Sequence, residues 1–169
     1  MRFFTRAWQR GDDPDQDDSE PIAAYSASLR SVADRLPDHV LAFATPTERH
    51  LAVDDAKVDR GELDAAKRQI SLRLLNGDLQ TGYGKLDLIF EDAQLVDPSL
   101  PRAKSFLEDP RTEFLVHEVE LMDDGSLEVR FLLWPDGELV LGCRDVQATW
   151  TAIEDTSRTD VLRQVIGFE

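Results

Sequence analysis

Two glycine-tipped bends constrain this chain more than any other feature. Asp123-Asp124-Gly125 and Pro135-Asp136-Gly137 divide residues 113–153 into three runs in which apolar and polar side chains alternate. Alternation between turn residues is the signature of antiparallel hairpins. The side chains select the register. A two-residue turn at Asp124-Gly125 would set Leu121 against Glu128 and Val119 against Arg130, apolar against charged. A three-residue loop with Gly125 left-handed in a bulge sets Leu121 against Leu127, Val119 against Val129, His117 against Phe131 and Leu115 against Leu133. The second bend, with Gly137 in the bulge, pairs Leu133 with Leu139, Phe131 with Leu141 and Val129 with Cys143. Both hairpins then share one apolar face, and a slip of one residue would turn every side chain over. On the opposite face Glu118 lies across from Arg130 and Glu128 across from Arg144. Glu120 opposes Glu128 and needs Arg144 to bridge it. With Leu132, Trp134 and Val140 as its apolar members, this second face reads as amphipathic and wet. A fourth strand, Val146 to Ile153, continues the meander.

The rest of the chain supplies helices and more strand. Residues 1–10 carry three arginines and no acid, and Phe4 and Trp8 share a face if the segment is helical. Residues 11–20, with six acids, read as an acidic flexible linker or loop. Residues 19–36 predict a helix that Ser19 caps, that has Pro21 in its first turn, and that presents Ile22, Tyr25, Leu29, Val32 and Leu36 on one face. Pro37 ends it, and a shorter helix carries Val40, Leu41 and Phe43. Residues 61–75 fit a helix through Leu63, Ala66, Ile70 and Leu74, or a strand through Ile70, Leu72 and Leu74; strand is favoured. Asn76-Gly77-Asp78 marks a turn, and so does Thr81-Gly82-Tyr83-Gly84. Leu86, Leu88 and Phe90 define a half-buried strand. Residues 97–111 form a connection with a helical turn at Ala103 to Glu108, and Asp160 to Phe168 a short docking helix. The expected fold is α+β, a single domain over residues 1–169 with N-terminal helices packed on an antiparallel meander sheet.

Composition narrows the function. Nineteen Lys and Arg stand against 34 Asp and Glu, a net charge of −15 in 169 residues. Such a chain repels phosphate backbones and anionic lipid, so neither nucleic acid nor membrane is an expected partner; the charge fits plain solubility, the favoured reading, and also a basic protein partner. The longest apolar runs, Val40 to Ala44 and Phe131 to Trp134, are too short to span a bilayer. A single cysteine, Cys143, reads as a buried thiol in a reducing, cytoplasmic setting.

Two stretches carry a family resemblance. Phe3-Phe4-Thr5-Arg6-Ala7-Trp8 resembles the opening of an uncharacterised bacterial family, a domain of unknown function, whose members begin with an aromatic pair, Thr, a basic residue, any residue and Trp. The run from Glu118 through Trp134, with Gly137 to Leu141 and Arg144-Asp145-Val146, resembles that family's C-terminal hairpins. The resemblance implies a related fold and no activity. The family's aromatic-His-Asp-Ser step falls at Val53-Asp54-Asp55-Ala56, where the His is missing, so no His–Asp pair carries over.

Candidate chemistry is sparse. Nucleotide-binding glycine motifs, a nucleophile elbow and a zincin helix are all missing, and no cofactor is expected. Arg130, Trp134 and Arg144 are the candidate binding residues, because Trp and Arg are enriched in interface hot spots; for Trp134, edge packing under the N-terminal helix is the favoured fate. His117, on the apolar face beside Phe131, reads as a packed core histidine. The leading function is a non-enzymatic cytosolic protein of immunity-like or regulatory kind that contacts a basic partner. Two other readings stay open. One is a hydrolase using His50, Asp54 and Asp55, or His117, in a helix–sheet cleft, with no metal site assigned. The other is a small-molecule carrier, if the sheet curls around an apolar cavity.

Overall fold

The computed structural model describes residues 1–12, 19–45, 50–78, 82–109 and 111–153. Three helices precede the sheet: α1 (Arg6–Arg10), α2 (Ser19–Val32), which runs into a 3-10 turn at Ala33–Arg35, and α3 (Asp38–Ala44). The strands are β1 (Ala56–Asp64), β2 (Gln69–Asp78), β3 (Gly82–Glu91), β4 (Gln94–Asp97), β5 (Glu113–Leu121), β6 (Leu127–Trp134), β7 (Glu138–Cys143) and β8 (Asp145–Ala152). A fourth helix, α4 (Leu100–Glu108), links β4 to β5. The chain is therefore α+β with an antiparallel sheet, but the helices are not all N-terminal. The Asp160 to Phe168 helix and most of the 11–20 linker lie outside the described residues; Ser19 and Glu20 belong to α2.

Strand wins over helix in residues 61–75, where Leu72 and Leu74 turn inward with almost no exposure. The turn lies earlier, at Ala65–Arg68, with Asp64 Oδ1 accepting from the amides of Ala66 and Lys67. Asn76-Gly77-Asp78 is not a turn but the end of β2, Asn76 pairing with Gly84 and Gly77 with Tyr83. Gly82 to Gly84 likewise begin β3. Asn76 reads as a turn residue because Asn so often closes turns with its side chain; here that side chain is buried and bonds across the fold.

The first hairpin has the expected register: Leu121 faces Leu127, Val119 faces Val129, and His117 faces Phe131. Gly125 is left-handed at φ 80°, and the Met122 N–H donates to Ser126 O at 2.8 Å. Beyond Val116 a bulge at Leu115 sets Phe114, not Leu115, against Leu133. The second hairpin is displaced by two residues: Phe131 faces Leu139, Val129 faces Leu141, and Leu127 faces Cys143. Its loop is wider than a bulged turn, with the Leu133 N–H donating to Gly137 O at 3.0 Å. An even shift keeps every side chain on its face, so Val119, Val129 and Leu141 all enter one core. It does move Glu128 opposite Gly142 rather than Arg144.

β8 does not continue the meander. The strand order is β4-β7-β6-β5-β1-β2-β3-β8. Only Asp92 and Ala93 separate β3 from β4, and only Arg144 separates β7 from β8. β3 pairs with β8 up to Glu91 against Asp145, the Arg144 N–H donates to Glu91 O at 2.9 Å, and β4 resumes with Gln94 against Gly142. Two long bent ribbons thus pair along their whole length, and the sheet curls round to meet itself. Closure protects strand edges that would otherwise be open. Side chains fill the interior. Phe131 packs edge-on against Phe114 and Phe90 at centroid distances of 5.1 and 6.1 Å, and Leu86, Leu88 and Phe90 are fully buried. The carrier reading would need a hollow where these rings stand.

β1 and β5 pair only at Ala56 with Phe114 and Lys57 with Glu113. Farther along, helices fill the gap. Tyr25 and Leu29 of α2 are buried there, while Ile22 on the expected face is 44% exposed. The Tyr25 hydroxyl accepts from the unpaired Val119 N–H at 2.8 Å. Val40, Phe43 and Ala44 of α3 are buried between β5 and β8. α4 lies across β1 and the β6–β7 loop, with Leu107 tight on Gly61 and Phe106 tight on Gly137.

Candidate interaction surface

The outer face of β5, β6 and β7 is only partly the wet surface its alternation suggests. Residues 1–5 cross it as a strap. The Phe3 and Phe4 N–H groups donate to Glu118 Oε1 at 2.7 and 2.6 Å, and the Arg2 N–H to Glu118 Oε2 at 2.8 Å. Glu118 is 3% exposed, a buried carboxylate that three charge-assisted hydrogen bonds satisfy. The Met1 amine reaches Glu138 at 2.5 Å on β7, so the strap passes over β6, where Leu132 is fully buried although it points away from the core. Phe4 then packs tilted against Trp8 and edge-on against Tyr25, at 5.2 and 5.3 Å, and Thr5 caps α1 by accepting from the Trp8 N–H.

Arg130 bridges the acids, in place of the expected Arg144. Its guanidinium lies 3.3 Å from Glu120, 3.9 Å from Glu118, and in contact with Glu128. This removes the repulsion between Glu120 and Glu128, which do face each other. Arg130 is thereby turned into the cluster, as an organiser of the surface.

Trp134, at the end of the same face, is not packed under the N-terminal helix; it is 45% exposed. The loop it begins is held from two sides. Arg6 Nη2 donates to Leu133 O and, at 3.1 Å, to Gly137 O, while Phe106 leaves no room for a side chain at Gly137. Asp136 on the loop is 77% exposed, and Glu138 follows it. A groove of about 260 Å³ beside the loop is lined by Arg6, Asp97, Arg102, Asp136 and Glu138. The arrangement leaves an exposed indole on a backbone held at two points, next to Asp136, whose carboxylate lies 3.9 Å from Arg6 Nη2. Arg144 is at the other end of the β6–β7 hairpin, its Nη1 3.3 Å from Asp124 O.

The remaining candidates are tied into the fold. His117 is stacked on Phe43 at 4.3 Å and its Nε2 bonds Phe43 O at 2.8 Å. Burial pushes it down to about 4, so the ring is neutral. Cys143 is buried and its thiol pushed up to about 12 by desolvation, then by Asp145. The His50 ring packs on Trp150 at 4.6 Å, and Asp54 is raised by burial and by neighbouring Asp55. Among the described residues no three His, Cys, Asp or Glu side chains gather as metal ligands. No described helix is long and apolar enough to cross a membrane.

Sequence reasoning missed the Glu118 clamp and a second polar knot. Asn76 Nδ2 donates to the carbonyls of His50 and Ala52, and its Oδ1 accepts from Trp150 Nε1 at 3.0 Å. The signal for the clamp was the Phe-Phe-Thr-Arg-x-Trp opening itself, in which Phe4, Thr5, Arg6 and Trp8 each make one of these contacts. No family model, curated protein or solved structure matches the chain.

Proposed function

We propose that the protein is a non-enzymatic, cytosolic binding protein that contacts a basic protein partner through the Trp134 loop, in an immunity-like or regulatory role. The observation that carries this reading is the exposed Trp134 beside exposed Asp136, on a loop that Arg6 and Phe106 hold still, in a chain of net charge −15. Tryptophan is enriched among interface hot spots, and a net negative charge accelerates encounter with a positively charged partner.

The test is affinity capture from source-cell extract with wild type, Trp134→Ala and Asp136→Asn, followed by binding measurements with the captured protein. The reading expects a basic partner released as ionic strength rises, and Trp134→Ala weakening it by about thirtyfold, the effect of losing a hot spot of about 2 kcal/mol. Capture of no basic protein, or equal binding by Trp134→Ala, would refute it.

A further inference from the structure

Asn76-Gly77 reads from the sequence as a turn, and the fold instead seats it near the end of β2, where each residue is needed for its own reason. Asn76 is the sole asparagine of the chain, and it is 4% exposed. Its Nδ2 donates to His50 O at 3.2 Å and to Ala52 O at 2.9 Å, and its Oδ1 accepts from Trp150 Nε1 at 3.0 Å. A side-chain amide offers two donors and an acceptor together, which a carboxylate or hydroxyl of similar size does not. The His50 ring also packs on Trp150, at 4.6 Å. Gly77, the next residue, is exposed and has φ 118°, a positive angle that favours glycine. The fold thus calls for an amide at one position and a glycine directly after it.

That neighbourhood has a chemistry of its own. Glycine carries no Cβ to hinder its nitrogen, so an asparagine before it cyclises readily. The Gly77 nitrogen loses its proton and bonds to Asn76 Cγ; the Cγ–Nδ2 bond breaks, and Nδ2 departs as ammonia with that proton. Water then opens the five-membered imide at either carbonyl and leaves aspartate or isoaspartate. Water is the only co-reactant, and nothing is oxidised or reduced. The attack requires the side chain to leave its three partners and turn back over the following nitrogen, so the closed knot blocks it. We propose that Asn76-Gly77 is a deamidation site that the His50–Trp150 knot holds shut, and that its conversion keeps this part of the sheet from closing again. Neither product fits the native site. Aspartate sets carboxylate oxygen against the His50 and Ala52 carbonyls, where the amide had donated. Isoaspartate adds a carbon to the backbone of β2 where Asn76 faces Gly84 and Gly77 faces Tyr83. Asp124-Gly125 and Asp136-Gly137 can form the same imide, but they release water and not ammonia, so the change from amide to acid distinguishes Asn76. This proposal is independent of the partner-binding reading.

The experiment incubates the full chain at mildly alkaline pH with and without denaturant. Tandem mass spectrometry of the tryptic peptide from Leu74 to Lys85 follows residue 76 from amide to acid, against an unincubated blank. Conversion in denaturant is expected to match that of a free peptide of the same sequence. In the folded protein it is expected to be orders of magnitude slower, because only the opened fraction reacts. Trp150→Phe removes the indole donor and is expected to speed conversion of the folded protein about tenfold, the weight of one hydrogen bond. Should that variant not fold, His50→Ala, which removes the ring packed on Trp150, is read in its place with the same direction expected. The deamidated protein, returned to native buffer, is expected to melt below wild type. Equal rates in the folded and denatured chain, no conversion in denaturant, a folded variant that converts at the wild-type rate, or a deamidated protein that regains the wild-type melting temperature would each overturn the proposal.

Discussion

Replacing Glu118 by alanine removes the acceptor of three backbone N–H groups at once. Each buried donor left without a partner costs about 1–3 kcal/mol, so keeping the strap in place would cost about 3 kcal/mol at least. The alternative is for the strap to peel into water. That exposes Phe4, now 2% accessible, whose burial contributes about 1.5–3 kcal/mol. The protein takes the cheaper route, and the loss settles near 3 kcal/mol by either. For a chain of this size that is a fall of about 6–12 °C in melting temperature. Glu118→Gln keeps one acceptor oxygen but turns an amide N–H toward a backbone donor, so about half the loss is expected. Urea and thermal unfolding followed by circular dichroism read both variants. A Glu118→Ala protein within about 0.5 kcal/mol of wild type, the range of an ordinary surface change, would show that the carboxylate is solvated and the clamp does not hold.

His117 sets a pH dependence. Its native pKa lies near 4 against about 6.5 in an unfolded chain, so between these values the unfolded state takes up a proton that the native state refuses. The stabilisation is complete above pH 6.5 and is lost as pH falls toward 4, by about 3 kcal/mol over the window; His117→Gln flattens the slope there, and parallel profiles for the two proteins would contradict the assignment. A methyl at Gly84 would come within 2.2 Å of the Trp150 ring. Gly84→Ala therefore displaces the indole from Asn76, costing about 2–3 kcal/mol and red-shifting the tryptophan emission; unchanged melting would refute that packing. Cys143 should resist a thiol reagent in the native protein and react once denaturant is added, whereas rapid native modification would place it outside the core.

The local part of the fold was legible and the non-local part was not. Leu86, Leu88 and Phe90 announce their strand because each inward position is apolar, and Gly125 fixes the first hairpin because apolar side chains match in only one register. The second hairpin slipped by two residues because Trp134 and Pro135 widen its loop, and parity preserved its faces. Glu118 read as solvated because alternation places it on an outer face; what buries it is a strap more than a hundred residues away in the chain. The partner of β8 was hidden for the same reason. Nothing in Val146 to Ile153 distinguishes pairing with β7 from pairing with β3, and the choice rests on the single residue Arg144 at which the ribbon bends. Of the candidate residues, Trp134 is exposed where packing under the N-terminal helix was favoured, Arg130 is turned to the acids, and Arg144 sits at the bend between β7 and β8 with its guanidinium at Asp124 O.

Native-state amide exchange tests the clamp and the closure of the sheet together. The N–H groups of Arg2, Phe3 and Phe4 donate to Glu118, and that of Arg144 to Glu91, where the two ribbons join. All four should exchange orders of magnitude more slowly than free amides, with Arg144 as protected as the central strands. Exchange of the strap amides at unprotected rates, or of Arg144 far faster than its neighbours in β7 and β8, would contradict the structure on which the proposed contact surface stands.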